Sequence, residues 1–174
     1  ATFWLLNNML AERRREALID PLTQVWNRRF LLQRLEEETA RLRRTGGLGA
    51  VVLVDLGDFK SINDRFGHLA GDEVLRKTAS MMDENLRTCD VIGRFGGDEF
   101  LLYLPDVSAD RAVSAMKRMD GLAAELRIPG VDATVVLDYG IASFPDDGDD
   151  LVAVIGDADA RMYKYKAARK AGRP

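Results

Sequence analysis

Apolar positions along this 174-residue chain change their period several times, and each change marks an element. Phe3, Leu6, Leu10, Arg13 and Ala17 follow a 3-4-3-4 spacing, the seam of a short coiled coil with Arg13 as its one poor core residue. Asp20-Pro21 ends that helix, because the residue before a proline is driven out of the helical region. Asn27 is placed to cap a second helix running from about residue 28 to 44, and Gly46-Gly47 breaks the chain after it. Ala50-Val51-Val52-Leu53-Val54 is an unbroken apolar run of strand length, which predicts a central strand buried on both faces, with Asp55 at its C-terminal end. A loop and a short helix around 61–66 follow. Leu75, Ala79, Met82 and Leu86 then recur at helical spacing and predict a core-packed helix over 72–87. Val91-Ile92 and Leu101-Leu102-Tyr103-Leu104 flank Gly96-Gly97, which predicts a hairpin whose glycines take positive φ angles. Ala112, Met116, Met119, Ala123 and Leu126 mark another helix, residues 133–144 a strand bent at Gly140, and Leu151, Val154, Ile155, Ala158 and Met162 a last helix.

The order βαββαβ predicts an α+β, ferredoxin-like arrangement: a mixed sheet with helices on one side, added helices and a closing helix. Residues 1–19 form an N-terminal helical stalk and 20–174 the main domain. A composition of 47% hydrophobic and 30% charged residues supports one domain with a full core. A net charge of −3 gives no global basic field, which argues against nucleic acid as a partner and leaves any anionic ligand to a local cluster. The single cysteine, Cys89, excludes a disulfide framework and a cysteine-rich zinc site and fits the cytoplasm. Thr2-Phe3-Trp4-Leu5-Leu6 before Arg13-Arg14-Arg15 reads as the start of a soluble helix, with tethering to the inner membrane through an upstream segment as the alternative.

Arg94-Phe95-Gly96-Gly97-Asp98-Glu99-Phe100 sets two acids beside bare backbone at the hairpin turn, and the topology brings Asp55 to the same sheet edge. Two carboxylates with a backbone carbonyl, that of Leu56, suit magnesium, which keeps ligand positions for water and phosphates. Two such ions would serve a phosphoryl-transfer site. Taken alone, the string reads equally well as a pair of ordinary turn acids. Gly57-Asp58-Phe59-Lys60 leads from the Asp55 strand into a helix whose N-terminal amides favour phosphate, with Lys60 at the mouth. On the last helix the row Leu151, Ile155, Ala158, Met162 continues as Lys166 and Lys170, placed for phosphate contact, whereas Lys164 and Arg173 read as solvated.

The whole pattern resembles the GGDEF family of diguanylate cyclases, from Asp20 to about Lys170. The resemblance is carried by Asp20-Pro21-Leu22-Thr23, Asn27-Arg28-Arg29, Asp55-Leu56 with Phe59-Lys60 and Ile62-Asn63-Asp64, Gly67-His68 with Gly71-Asp72, the Gly-Gly-Asp-Glu-Phe string, and Ala158-Asp159 with Met162-Tyr163 and Lys166. It implies a bacterial signalling enzyme with a fold like that of nucleotide cyclases and polymerase palms. Two GTP molecules would be condensed into cyclic di-GMP and pyrophosphate by a homodimer under an upstream sensor. By resemblance, Asp55, Leu56 through its carbonyl, Asp98 and Glu99 would bind magnesium, with manganese as a substitute, and Glu99 would assist metal binding or deprotonation of the 3′-hydroxyl. Phe59, Lys60, Lys166 and Lys170 would line the triphosphate site, although Phe59 and Phe95 read first as packing residues. Asn63 and Asp72 would read guanine, whose ring N–H and exocyclic amine a carboxylate can accept together. Asp72 also reads as an N-terminal helix acid, and His68 as structural. Arg87-Thr88-Cys89-Asp90 matches the family's inhibitory Arg-x-x-Asp pattern, with Arg118 as a second arginine. A plain salt bridge at a helix end is the alternative for that pair.

Several positions depart from the family pattern. Gly57 stands where an acid is usual and Asp58 follows it. Gln24-Val25 replaces the usual Gly-Leu. Lys170 and Arg169 stand where arginine preceded by glycine is common, and Asp138 occupies a strand position that favours a small hydroxyl residue. These departures keep open a weak or inactive receptor that binds GTP or cyclic di-GMP. A cyclase making mixed purine dinucleotides is disfavoured by Asp72.

Overall fold

The computed structural model describes residues 18–172. The predicted coiled-coil seam from Phe3 to Ala17, and Arg173, lie outside the described residues.

The chain runs β1 (Trp26–Asn27), α1 (Arg28–Thr45), β2 (Gly49–Leu56), α2 (Phe59–Phe66), α3 (His68–Glu84), β3 (Val91–Arg94), β4 (Glu99–Pro105), α4 (Ala109–Glu125), β5 (Leu137–Phe144) and α5 (Leu151–Ala171). As predicted, Asn27 caps α1, accepting from the Phe30 amide, and Gly46 closes it in the left-handed conformation at φ 70°. Asp150 caps α5 through the Ala153 amide.

The five strands lie in the order β1-β3-β4-β2-β5. The ferredoxin-like set β3-β4-β2-β5 is antiparallel throughout, and β1 makes the sheet mixed by pairing parallel to β3. All eight residues of β2 are buried, which explains why its sequence is apolar without alternation. Ala50, Val52, Val54 and Leu56 face one core with α3 and α4, through Val74, Leu75, Ala79 and Met82 and through Ala112, Met116, Met119 and Ala123. Val51 and Leu53 face the other with α1 and α5, through Leu31, Leu35 and Leu42 and through Leu151, Val154, Ala158 and Met162. The ferredoxin-like helices thus keep to one face, and the added α1 and closing α5 cover the second.

Some boundaries shift for local reasons. The helix expected over 72–87 starts at His68 and ends at Glu84. Strand β5 starts at Leu137, because the Val136 carbonyl accepts from the Gly57 amide and the Leu137 amide donates to the Asp120 side chain instead of extending a ladder. Gly140 serves close approach: a Cβ there would land on the Ala158 carbonyl and the Met162 amide of α5. Among the described residues no helix is long and apolar enough to cross a membrane.

Candidate active site

The end of β2 carries three acids in one row. Asp55 pairs in register with Glu99 of β4 on one side and with Asp138 of β5 on the other. Directly paired residues project from the same face of a sheet, here the face covered by α5. Residues 95–98 join β3 to β4, and both the Phe95 and Gly96 amides donate to the Glu99 carbonyl, at 2.8 and 3.2 Å. The turn docks on β2 because the Leu56 amide donates to the Asp98 carbonyl at 3.1 Å. Contrary to the positive φ angles expected of the glycine pair, the four-residue connection needs none at Gly96 or Gly97, and neither takes one. Gly96 is small because the Glu99 carboxylate occupies the space of its side chain, and Gly97 faces open space.

Helix α5 supplies cations to the acid row. The Lys166 ammonium lies 2.7 Å from Asp55 Oδ1, and the Arg169 guanidinium grips both oxygens of the fully buried Asp138 at 2.6 and 2.7 Å. Burial pushes the Asp55 carboxyl up, Lys166 pulls it down, and the nearby Asp98 and Asp138 push it up again, leaving it above the usual aspartate value. Glu99 is also held above its ordinary value, by burial and then by Asp55, Asp98 and Asp159, with Lys166 opposing. For Lys166, burial is outweighed by Asp55, and the ammonium is held above the usual lysine range.

In front of this row lies a cleft of about 450 Å³. Leu56, Asp98, Lys166 and Lys170 form one wall, and Asp58, Phe59, Lys60, Ser61 and Asp64 of the α2 start form the other. The cleft therefore gathers Asp98, Leu56, Phe59, Lys60, Lys166 and Lys170 as the sequence implied, with Asp55 and Glu99 beside it. Asp58 precedes α2 with a left-handed backbone, φ 57°, and makes no side-chain cap to the helix amides. Lys60 is exposed at the mouth. Phe59 both lines the cleft and packs on the core, 3.2 Å from where a Gly71 Cβ would sit.

Asn63 follows Lys60 by one turn of α2, and a side chain at Gly71 would overlap its amide, so α2 and α3 close tightly around it. Asp72 is the fifth residue of α3, beyond the first turn, which removes the helix-dipole reading of it. His68 opens α3 and is exposed. Neither Asn63 nor Asp72 belongs to the cleft lining by the acid row.

The Arg-x-x-Asp pair is closed on itself. Arg87 Nη2 lies 2.6 Å from Asp90 Oδ1 and 2.9 Å from the Pro105 carbonyl, while its backbone amide donates to Asp90 Oδ2 at 2.8 Å. Arg118 Nη2 donates to the Asn85 carbonyl at 3.0 Å, which puts the second arginine at the same loop.

Three residues escaped the sequence reading. Asp138 had no role there, and the structure makes it the anchor of Arg169, whose Nη1 also meets Asp58 at 3.2 Å. Arg94 ties the acidic turn to the start of the domain: it donates to the Gly97 carbonyl at 2.7 Å and to Asp20 Oδ1 at 3.2 Å. Asp20 is desolvated by burial, yet hydrogen bonds from Thr23 and the Arg94 charge hold its carboxyl below the usual value. A depressed carboxyl pKa stabilises the fold above the unfolded value of 3.8 and ceases to do so as pH falls through the folded one. Asp20→Ala is accordingly expected to cost about 1–3 kcal/mol at neutral pH. In thermal melts the gap from the parent should close as the pH drops through the acid range.

The family model described as "Diguanylate cyclase, GGDEF domain" matches residues 17–172. Diguanylate cyclase DgcP of Pseudomonas aeruginosa is 39% identical over 162 residues, 91% of this chain and 24% of DgcP. Diguanylate cyclase DosC of Escherichia coli is 34% identical over 166 residues, 93% of this chain and 36% of DosC. The chain thus spans about a quarter to a third of these relatives. Among solved structures, the coiled coil and GGDEF domain of DgcB from Caulobacter crescentus, in complex with c-di-GMP, aligns with TM-score 0.86 at 25% identity, covering 99% of this chain and 91% of that one. Diguanylate cyclase SiaD of Pseudomonas aeruginosa, in complex with its activator SiaC, aligns with TM-score 0.83 at 31% identity, covering 96% and 65%. With the acid row, the turn and the cleft in their places and the family match spanning nearly the whole sequence, this chain belongs to the GGDEF-domain diguanylate cyclase family.

Proposed function

We propose that the chain condenses two molecules of GTP into cyclic di-GMP, each protomer of a homodimer holding one GTP in the cleft beside the acid row. The observation that carries this reading is the charge pattern at the sheet edge. Arg169 is shared between Asp58 and Asp138, and the three acids Asp55, Asp98 and Glu99 have Lys166 as their nearby cation. Lysines Lys60 and Lys170 stand across the same opening. Such a site is short of positive charge at its acid row and carries lysines at the opening. A divalent cation with a triphosphate satisfies both.

Among the described residues no three acidic, histidine or cysteine side chains converge closely enough to form a metal cage by themselves. The donors nevertheless fit magnesium or manganese, which take oxygen ligands and keep positions for phosphate oxygens and water. Asp55, Asp98 and the Leu56 carbonyl would hold the ion, with Glu99 beside them. When bound, it would supply Lewis acidity at the phosphates and lower the pKa of a bound hydroxyl.

The remaining roles fall to side chains. Lys60, Lys170 and the amides at the start of α2 hold the triphosphate, and Lys166, once released from Asp55, adds to them. Asn63 and Asp72 bind the guanine edge, with Phe59 packed between α3 and the cleft. Glu99, beside the ion, would as a carboxylate accept the proton of the attacking 3′-hydroxyl. That oxygen bonds to the α-phosphorus of the facing GTP and pyrophosphate leaves. The reciprocal attack closes the ring, so each pair of GTP molecules yields one cyclic dinucleotide and two pyrophosphates. The expected stalk over residues 1–19 would join protomers and relay an upstream sensor, with its last two residues, Leu18 and Ile19, in a turn and a bridge to Trp26 instead of a helix. DgcB, crystallised with its coiled coil, supports that assignment by likeness.

A second reading rests on Arg87 and Asp90. Their ion pair, with Arg118 nearby, forms an edge suited to guanine and phosphate. Cyclic di-GMP bound there would act as a feedback ligand on an active cyclase, or as the sole ligand of a receptor. Incubation with magnesium and GTP over a range of protein concentrations separates these. The cyclase reading expects cyclic di-GMP, with specific activity rising as protomers associate. A dimer that binds GTP and makes no dinucleotide would leave only the receptor.

A further inference from the structure

Arg169 stands on α5 between two cleft lysines, Lys166 and Lys170, and is itself no part of the cleft lining. Its side chain is only 15% exposed and reaches behind the cleft. There it makes a two-pronged contact with Asp138, which is 0% exposed, and a third contact with Asp58. Such planar, bidentate pairing is a property of arginine that lysine does not share. Space for it comes from Gly57. A Cβ at that position would lie 2.9 Å from Arg169 Nη2, 3.1 Å from Asp138 Oδ2 and 3.2 Å from the Val136 Cβ.

The contact with Asp58 has a local effect. Asp58 occupies the N-cap position of α2, where an aspartate ordinarily accepts from the first helix amides. Here its carboxylate makes no such cap and is turned to Arg169. The contact with Asp138 has an electrostatic effect. Asp138 lies in register with Asp55, and its charge acts on both Asp55 and Lys166. Without a cation of its own, Asp138 would compete for the neighbouring lysines.

We propose that Arg169 is a positioning residue for the triphosphate, with Gly57 as the space it requires. By engaging Asp58 and Asp138 it keeps the Asp58 carboxylate off the start of α2, where the Ser61 and Ile62 amides already donate to the Asp58 carbonyl, and keeps Asp138 from claiming Lys166. Gly57, Asp58, Asp138 and Arg169 are then one unit rather than four separate departures from the family pattern. The proposal rests on the reading of this cleft as the triphosphate site.

The test combines Arg169→Ala, Arg169→Lys, Gly57→Ala and the Gly57→Ala/Arg169→Ala double variant, with steady-state kinetics in magnesium and GTP, competition by inorganic tripolyphosphate, and thermal melts without nucleotide. Arg169→Ala is expected to raise the KM for GTP and the inhibition constant of tripolyphosphate about tenfold or more, with kcat within about twofold of the parent. Arg169→Lys, which keeps charge and loses the fork, should recover only part of that loss. Gly57→Ala should lower Tm and weaken GTP binding in the parent and do markedly less of both in the Arg169→Ala background, where the closest clash, with Arg169 Nη2, is gone while the contacts with Asp138 and Val136 remain. An unchanged KM in Arg169→Ala, or equal effects of Gly57→Ala in both backgrounds, would overturn the proposal. A parent that binds neither magnesium-GTP nor tripolyphosphate would overturn the triphosphate reading itself and this proposal with it. In that case the coupling in the melts would still report whether Gly57 and Arg169 act as one unit.

Discussion

Asp98→Ala should lower cyclic di-GMP formation by roughly a thousandfold while leaving the fold intact. The loss is large because Asp98 is one of only two carboxylates proposed to hold the divalent cation, and metal-assisted charge stabilisation is worth several kcal/mol. The fold should survive because the turn is docked by the Asp98 backbone carbonyl on the Leu56 amide, which the substitution keeps. Asp98 also pushes up the carboxyls of Asp55 and Glu99, so its removal relieves repulsion among partly buried acids. Product measured by chromatography alongside a thermal melt checks both halves. A variant with near-parental turnover would remove Asp98 from the site, and an unfolded one would make it a structural residue.

The largest expected effect on stability comes from a single methyl group. In Gly140→Ala the new Cβ would land on the Ala158 carbonyl and the Met162 amide, which are backbone atoms of α5 and cannot rotate away. Overpacking of this kind costs typically about 1–3 kcal/mol and more where backbone must move, and here it must. The expected result is a loss of at least about 3 kcal/mol by denaturant titration. Because α5 carries Lys166 and Arg169, the helix cannot lift without disturbing the acid row, so GTP turnover should fall with stability. Gly97→Ala is the matched comparison: nothing lies within 4 Å of its Cβ position, and little stability should be lost.

The core of the fold was legible because its periods are strong. The unbroken run of β2 predicted burial on both faces, and the rows Leu75, Ala79, Met82 and Ala112, Met116, Met119, Ala123 predicted the helices that cover one of them. Strand β1 was not legible, since two residues carry no period and their pairing to β3 is set by the loop that Asp20, Thr23 and Arg94 tie down. At the candidate site Asp55 and the α5 lysines stand out in the sequence because each ends an apolar pattern or continues one, Asp98 and Glu99 because they follow a glycine pair, and Lys60 because it opens a helix after the Asp55 strand. Arg94, Asp138 and Arg169 could not, because their meaning lies in partners 31 to 111 residues away. A polar residue in an otherwise buried strand was the available sign for Asp138, and the arginine that answers it has no local signature. The glycines of the turn were assigned by turn chemistry when crowding decides one of them: Gly96 yields room to Glu99.

The most direct measurement is phosphorus NMR of one reaction containing the protein, magnesium and GTP, followed to completion. Loss of the three GTP resonances should be matched by pyrophosphate and by a single phosphodiester signal from cyclic di-GMP, in the ratio of two pyrophosphates to one cyclic dinucleotide. Release of inorganic phosphate with GDP, or unchanged GTP bound to a demonstrably dimeric protein, would contradict the account.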